Sequence, residues 1–299
     1  MKYFYFLLIS IFMSSCCSTK QIAQTKPKNT ELLKPLTVEE IPTIEKDNIT
    51  QTVEVIDNNG KVIVGVETIE EADDILKALE TEKQTQIFNH SSWNNLLQKH
   101  VTNHGVVNYK GFKKDAKILR NYIASLGELK PNDDWTKQEK LAYWINAYNA
   151  MTIDLILRNY PINSIKDIDK PWEQRLWKLG NKWYNLDEIE HQIIRKMNEP
   201  RIHFALVCAA KSCPKLHNKA FTGLSLENDL TMLTKGFLAD KSKNDITQNN
   251  LKLSKIFKWF AKDFKIDGSL IDFLNQYTDV NISDKAKKSF KDYNWYLNE

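Results

Sequence analysis

Residues 141–157 place the strongest restriction on how this chain can fold, because they are apolar almost all round a helix. Thr136 and Glu139 form the capping-box pattern that starts a helix, and Pro161 stops it. A helix that is apolar on every side has to be covered by other elements. The sequence therefore predicts a central helix inside a larger, helix-rich body.

Segments on both sides of this helix predict a mixture of helices and strands. Helical stripes begin near Trp93 and Leu119, and a capped helix runs through 185–197. Residues 177–186 have the pattern of a hairpin, and the continuous apolar run 202–207 is typical of a strand buried on both faces. The predicted fold class is α+β: a single mixed, helix-rich domain with a central apolar helix and a small, mostly antiparallel sheet.

The N-terminus has the pattern of an exported lipoprotein. Lys2 precedes an apolar stretch over residues 3–13, and Ser14-Ser15-Cys16 follows. An apolar stretch of about 7–15 residues is typical of a secretory signal, whereas a membrane span needs about 20. The small residues before Cys16 resemble a lipobox, which implies a diacylglyceryl group on that sulfur. We expect residues 1–15 to be a signal peptide. The exported protein would then be lipid-anchored to a bacterial envelope membrane, facing the periplasm or the surface. The alternative is an ordinary signal peptide with a chance cysteine.

Three further regions follow the signal sequence. Residues 16–50 are rich in Lys, Thr, Glu and Pro, which is typical of a tether. Residues 51–87 predict a hairpin, with alternating valines on both sides of Asn59-Gly60, and then a short acidic helix. A hairpin with one helix is too small to be stable alone. Residues 88–299 form the predicted globular domain.

The charge distribution argues against nucleic acid as a partner. Lys and Arg number 42 against 38 Asp and Glu, for a net charge of +4, and no dense basic run alternates with aromatic residues. No phosphate loop or dinucleotide fingerprint is present, so no cofactor is predicted. Eight tryptophans favour a core or groove rich in large rings.

The segment 201–214 contains the most reactive combination of side chains. If 202–207 is a strand, His203 shares a face with Ala205 and Val207, and Cys208 lies where the strand ends. A thiolate near an imidazole would provide a nucleophile and its base. Three alternatives remain open: a disulfide between Cys208 and Cys213, buried inert thiols, or a zinc site that adds His217.

Two other segments contain polar residues at helical spacing. Asn146 and Asn149 share a face of the apolar helix, where they either pin neighbouring backbone or orient a substrate or catalytic histidine. Glu188, His191 and Arg195 lie one turn apart and could bind a metal or relay protons, although helix electrostatics also explains them. A second Glu-x-x-His motif is lacking, so no metal site is predicted.

Residues 143–150, 186–195 and 201–214, together with 253–264 and 293–298, resemble the motifs of the domain of unknown function 547 family. The resemblance covers residues 88–299 and implies a domain without an assigned reaction. It also implies a set of motif-bearing candidate residues. These are Asn146, Tyr148, Asn149, Glu190, His191, Arg195, Arg201, His203, Cys208, Ser212 and Cys213.

Two functional hypotheses follow. In the first, the domain is a non-catalytic binding or structural module that takes a peptide, glycan or protein partner in an aromatic groove. In the second, it is a cysteine-dependent hydrolase or acyltransferase in which His203 activates Cys208 or Cys213 and Asn146 or Asn149 orients the histidine. The second is similar to papain-like or transglutaminase-like enzymes by fold-level analogy alone.

Overall fold

The computed structural model describes residues 87–299 and two strands nearer the N-terminus, Val53–Ile56 (β1) and Val62–Val66 (β2). The chain separates into two units, Met1–Thr68 and Ile69–Glu299. In the first unit β1 and β2 pair antiparallel, as the alternating valines predict. The predicted signal peptide, the tether and the short acidic helix lie outside the described residues.

Helices dominate the described part of the second unit. The α-helices are α1 (Ser91–His100), α2 (Tyr109–Lys114), α3 (Ala116–Ser125), α4 (Lys137–Asn159), α5 (Leu186–Glu188), α6 (Leu226–Ala239), α7 (Ile256–Trp259) and α8 (Leu270–Tyr277). Helix α5 continues as a π-helix, Ile189–Ile194, and a 3₁₀ turn, Arg195–Met197. Asn185 caps this segment through a bond from the Glu188 N–H, where the sequence allows either Asn185 or Asp187 as the cap.

The strands that the structure describes in this unit form two small sheets. Strands β3 (Trp177–Leu179) and β4 (Lys182–Tyr184) make the predicted antiparallel hairpin, with Gly180 at a φ of 60° in its turn. Strands β5 (Asp245–Ile246), β6 (Asn250–Leu253) and β7 (Lys287–Phe290) lie in that order, with the β6–β7 pair parallel. The protein is therefore a mixed α+β protein with more helix than strand, and its strands are divided among small sheets.

Every residue of α4 from 141 to 157 is buried, and the helix packs against α2, α3, α6 and the π-helix. Its start is the predicted capping box, in which the Glu139 N–H bonds to Thr136 Oγ1 and the Thr136 N–H bonds to Glu139 Oε2. Buried Asp154 accepts bonds from Arg120, Arg158 and Trp177 Nε1, which satisfies its charge and ties α4 to β3. In the part of the chain that the structure describes, no helix has the length and apolarity needed to cross a membrane.

The strand predicted for 202–207 is wrong. A 3₁₀ helix, Pro200–Phe204, occupies the start of this run, with Pro200 in its first turn and the Glu199 side chain accepting the Arg201 N–H. The run is buried as expected, but a short buried apolar segment looks the same in a strand and in a helix. The alternation that placed His203, Ala205 and Val207 on one face therefore does not apply.

Candidate functional site

Most of the candidate residues converge on one cavity of about 300 Å³ in the second unit. It is bounded by α4, the π-helix, the loop after the 3₁₀ helix, α7 and the C-terminal segment. The lining comprises Tyr148, Trp172, Glu173, Asp187, Glu190, His191, His203, Leu206, Val207, Cys208, Cys213, Pro214, Ile256, Trp259, Phe260, Tyr293 and Trp295.

Four aromatic rings form a continuous wall of this cavity. The Trp295 ring lies 4.6 Å from Tyr293, 5.7 Å from Trp259 and 6.1 Å from Trp172, measured between ring centroids. Tyr293 also contacts Trp259, at 4.8 Å. The rings come from three separate segments of the chain, so tertiary packing creates the wall. We call these four residues the aromatic wall.

Cys208 and Cys213 face one another at the cavity, and both are free thiols. The backbone N–H and the Sγ–H of Cys208 each donate to Cys213 Sγ over 2.8 Å, and the Tyr293 hydroxyl lies 3.2 Å from Cys208 Sγ. Ala209, at a φ of 56°, turns the chain between them. The structure therefore shows a dithiol in contact where a disulfide was one of the alternatives.

The two thiols differ in acidity. The hydrogen bond with Cys213, together with burial, raises the pKa of Cys208 well above its usual range. Burial also raises the pKa of Cys213, but hydrogen bonds from the Cys208 thiol, the Cys208 N–H and Tyr293 outweigh it, so the net pKa is lowered. Of the two thiols, Cys213 is therefore the one that loses its proton first, while Cys208 keeps its own.

His203 is held by a carboxylate rather than by a thiol. Its Nε2 lies 2.8 Å from Asp263 Oδ2, its ring stacks on Phe260 at 4.0 Å, and its side chain is only 2% exposed. Arg195 also binds Asp263 through two bonds of 2.7 Å. Burial raises the pKa of Asp263, but the bonds from Arg195 and His203 hold it well below its usual range. Within the described residues, neither thiol is a hydrogen-bond partner of His203.

The π-helix supplies Glu190 and His191 to the cavity lining. Glu190 accepts a 2.8 Å bond from the Tyr148 hydroxyl, and burial beside Glu190 raises the pKa of that tyrosine. His191 Nδ1 accepts from Arg195 at 2.9 Å, and its Nε2 lies 3.5 Å from Asp187. These contacts orient Glu190 and His191, which both line the cavity, while Arg195 lies behind them with Asp263.

The two asparagines of α4 pin backbone, which was one of the two alternatives for them. Asn149 donates to the Ala205 carbonyl at 2.9 Å and accepts the Val207 N–H at 3.0 Å. Asn146 makes the same pair of bonds with Phe221, at 2.8 and 3.0 Å. Neither residue lines the cavity. Asn149 nevertheless fixes the loop that carries the thiols, because it satisfies both backbone groups where the 3₁₀ helix ends.

Arg201, Ser212 and His217 lie outside the cavity. Arg201 pairs with Glu199 and Glu227, and Ser212 exchanges two bonds with the Asn294 backbone, at 2.8 and 3.1 Å. Ser212 thereby ties the thiol loop to the segment carrying Tyr293 and Trp295. The alternative zinc set is not assembled, because His217 faces Asp229 and the described residues contain no group of three or more His, Cys, Asp or Glu able to hold a metal.

Sequence reasoning missed Asp263, which lies 60 positions after its partner His203. It also missed the wall residue Trp172 and the carboxylates Glu173 and Asp187. The remaining wall residues lie in 253–264 and 293–298, two segments noted only for their resemblance to the family. Their aromatic content was the only available signal, since no local periodicity indicates that rings so distant in sequence share a cavity.

Comparison with known families supports the assignment of the domain. Residues 132–238 match the model of a family described as "Protein of unknown function, DUF547". The match covers α4, the π-helix and both thiols, and ends before Asp263 and the C-terminal aromatic residues. Neither the curated proteins nor the solved structures contain a significant match to the chain.

Proposed function

We propose that the second unit is a binding module that receives the cationic group of a ligand in the aromatic cavity. The observation that carries this proposal is the combination of the aromatic wall with three carboxylates, Glu173, Asp187 and Glu190, at the same cavity. Among the described residues that line it, none is Lys or Arg, although these residues outnumber Asp and Glu in the chain as a whole.

The chemistry of this lining favours a positive charge. Aromatic faces carry negative electrostatic potential and attract ammonium and guanidinium groups, and nearby carboxylates strengthen that attraction. Two cations of the chain already use such faces: Lys166 Nζ lies 4.6 Å from the Trp295 centroid, and Arg195 Cζ lies 5.2 Å from that of Phe260. A volume of about 300 Å³ suits a small amine or one basic side chain of a peptide.

The arrangement of the thiols favours binding over thiol hydrolysis. A hydrolase needs its nucleophile within hydrogen-bond reach of its base. Here the Nε2 atom of His203 is bonded to Asp263, whereas Cys208 donates its proton to Cys213. The asparagines proposed as orienting residues hold backbone groups instead.

The binding proposal is tested by calorimetric titration with choline and with 3,3-dimethylbutan-1-ol, its neutral carbon isostere. We expect choline to bind and the isostere to bind more weakly, because only choline gains the cation–π and carboxylate attraction. Trp259→Ala should weaken choline binding by about two- to thirty-fold, the range expected for one cation–π contact. Trp183→Ala is the matched control, because Trp183 is similarly exposed and lies outside the cavity lining.

Two results would contradict the proposal. Equal affinities for choline and its isostere would show that charge is not recognised. Equal effects of Trp259→Ala and Trp183→Ala would place any binding elsewhere on the protein. Titration with N-acetylglucosamine tests a glycan as the alternative ligand.

We further propose that the protein is exported and held at an envelope membrane by lipid on Cys16, on the strength of the apolar stretch and the Ser14-Ser15-Cys16 sequence. The purified protein should partition into detergent and carry acyl mass on Cys16. Cys16→Ala should abolish both properties, whereas Cys17→Ala should retain them. Equal partitioning of the wild-type protein and Cys16→Ala, with no acyl mass on either, would contradict the anchor.

A further inference from the structure

We propose that Cys208 and Cys213 form a redox-active dithiol that exchanges with small disulfides entering the cavity. The pair is already in sulfur-to-sulfur contact at 2.8 Å. A disulfide bond is about 2.05 Å long, so closing it needs an approach of less than about 1 Å. Both residues line the cavity, which gives a disulfide access to them.

The loop is built to hold the two sulfurs together in the reduced state. Its backbone is fixed by bonds from the Cys213 N–H to the Ala210 carbonyl and from the Lys211 N–H to the Tyr296 carbonyl. The Cys208 N–H points at Cys213 Sγ, as an N–H group does towards an anion. These bonds stabilise Cys213 Sγ once it loses its proton, and the thiolate is the form that attacks disulfides.

The exchange can be written with all atoms and electrons balanced. Cys213, the sulfur that accepts the hydrogen bonds, attacks as the thiolate while Cys208 keeps its proton. Cys213 Sγ bonds to one sulfur of the substrate, the substrate S–S bond breaks, and the departing thiolate takes the proton from Cys208. Cys208 then attacks Cys213 Sγ and releases the second substrate thiolate, which takes a proton from water. Two electrons pass from the dithiol to the substrate, leaving a Cys208–Cys213 disulfide and two free thiols.

Tyr293 is a positioning residue for this reaction. Its hydroxyl lies 3.2 Å from Cys208 Sγ and can donate to the thiolate that forms there. Burial beside the two sulfurs raises the pKa of Tyr293, so the hydroxyl keeps the proton that it donates. Removing it should make the thiolate harder to form without removing either sulfur.

The first experiment equilibrates the full-length protein in mixtures of reduced and oxidised dithiothreitol, quenches it with iodoacetamide and digests it with trypsin. Cleavage at Arg201, Lys211 and Lys215 places Cys208 and Cys213 in separate peptides, 202–211 and 212–215, so the disulfide appears as a linked pair. We expect this pair to form reversibly, in a single two-electron transition. Alkylated, unlinked peptides at every ratio would overturn the proposal, as would a linked pair that reduced dithiothreitol never opens.

The second experiment measures the rate at which the reduced protein cleaves 2-hydroxyethyl disulfide, a neutral substrate, as a function of pH. Tyr293→Phe should slow exchange several-fold near pH 7 and recover towards the wild-type rate as rising pH supplies the thiolate directly. Tyr296→Phe is the control, because this exposed tyrosine lies in the same segment but not in the cavity lining. Identical pH profiles for the two variants would refute the positioning role of Tyr293. If the wild-type protein does not cleave the substrate at all, the proposed thiol–disulfide exchange is refuted. Because the substrate is uncharged, loss of choline binding alone would leave this proposal standing.

Discussion

Replacing Trp144 with alanine is expected to lower the free energy of unfolding by about 3–5 kcal/mol, the range for removing a large aromatic side chain from a core. The indole lies on α4 and is 7% exposed. Its ring contacts Tyr143 edge-on at 5.1 Å and Tyr184 of β4 at 5.6 Å. The substitution therefore leaves a cavity between α4 and the β3–β4 hairpin. Urea unfolding followed by circular dichroism measures the change.

Trp183→Ala is the control for this measurement. Trp183 precedes Tyr184 on the same strand, but its side chain is 51% exposed. Its truncation should cost no more than about 0.5 kcal/mol, as for most surface positions. A loss below about 1 kcal/mol for Trp144→Ala would show that α4 and the hairpin are not closely packed at this point.

The elements that could be predicted from the sequence are those that local chemistry determines. The start of α4 follows from Thr136 and Glu139, which satisfy each other's backbone groups within one turn. The β3–β4 turn depends on Gly180, whose positive φ favours glycine. In both cases the residues that specify the structure are neighbours in the sequence, so no knowledge of the tertiary structure was needed.

The run 202–207 shows where local reasoning fails. Its apolar residues fit a buried strand, but the Ala205 carbonyl and the Val207 N–H are both satisfied by Asn149, a side chain from α4. An amide that bonds to backbone in this way replaces a neighbouring strand. The sequence showed that Asn149 needed partners, but it could not show which ones.

The candidate site could be predicted in part for the same reason. Glu190, His191, His203 and both cysteines lie close together in the sequence, and all line the cavity. The aromatic wall brings together residues as distant as Trp172 and Trp295, and the partner of His203 comes from the turn after α7. Such contacts depend on how the elements pack, which no periodicity in the sequence records.

Replacing Asp263 with alanine should lower the free energy of unfolding by about 1–3 kcal/mol at neutral pH, the range for leaving a buried polar group such as the His203 ring without its partner, because the part-buried ion pair with Arg195 adds little. The substitution leaves the buried His203 ring without its Nε2 partner and Arg195 without the carboxylate that it binds through two bonds. Asp267→Ala, at an exposed position four residues later, should change stability by no more than about 0.5 kcal/mol. Equal losses for the two variants would show that the Asp263 network does not support the fold.

The cost of Asp263→Ala should also depend on pH in a definite direction. The pKa of Asp263 in the folded protein lies well below its value of 3.8 in an unfolded chain, so the ionised carboxylate is bound more strongly when the protein is folded. This contribution is complete above the unfolded pKa and is lost as pH falls towards the folded pKa. The part of the stability difference between the wild-type protein and Asp263→Ala that comes from the Asp263 carboxylate should therefore be complete above about pH 5 and shrink below about pH 4. Asp263 does not line the cavity, so the folded variant should still bind choline. Loss of choline binding by a folded variant would mean that the Asp263 network also sets the shape of the cavity.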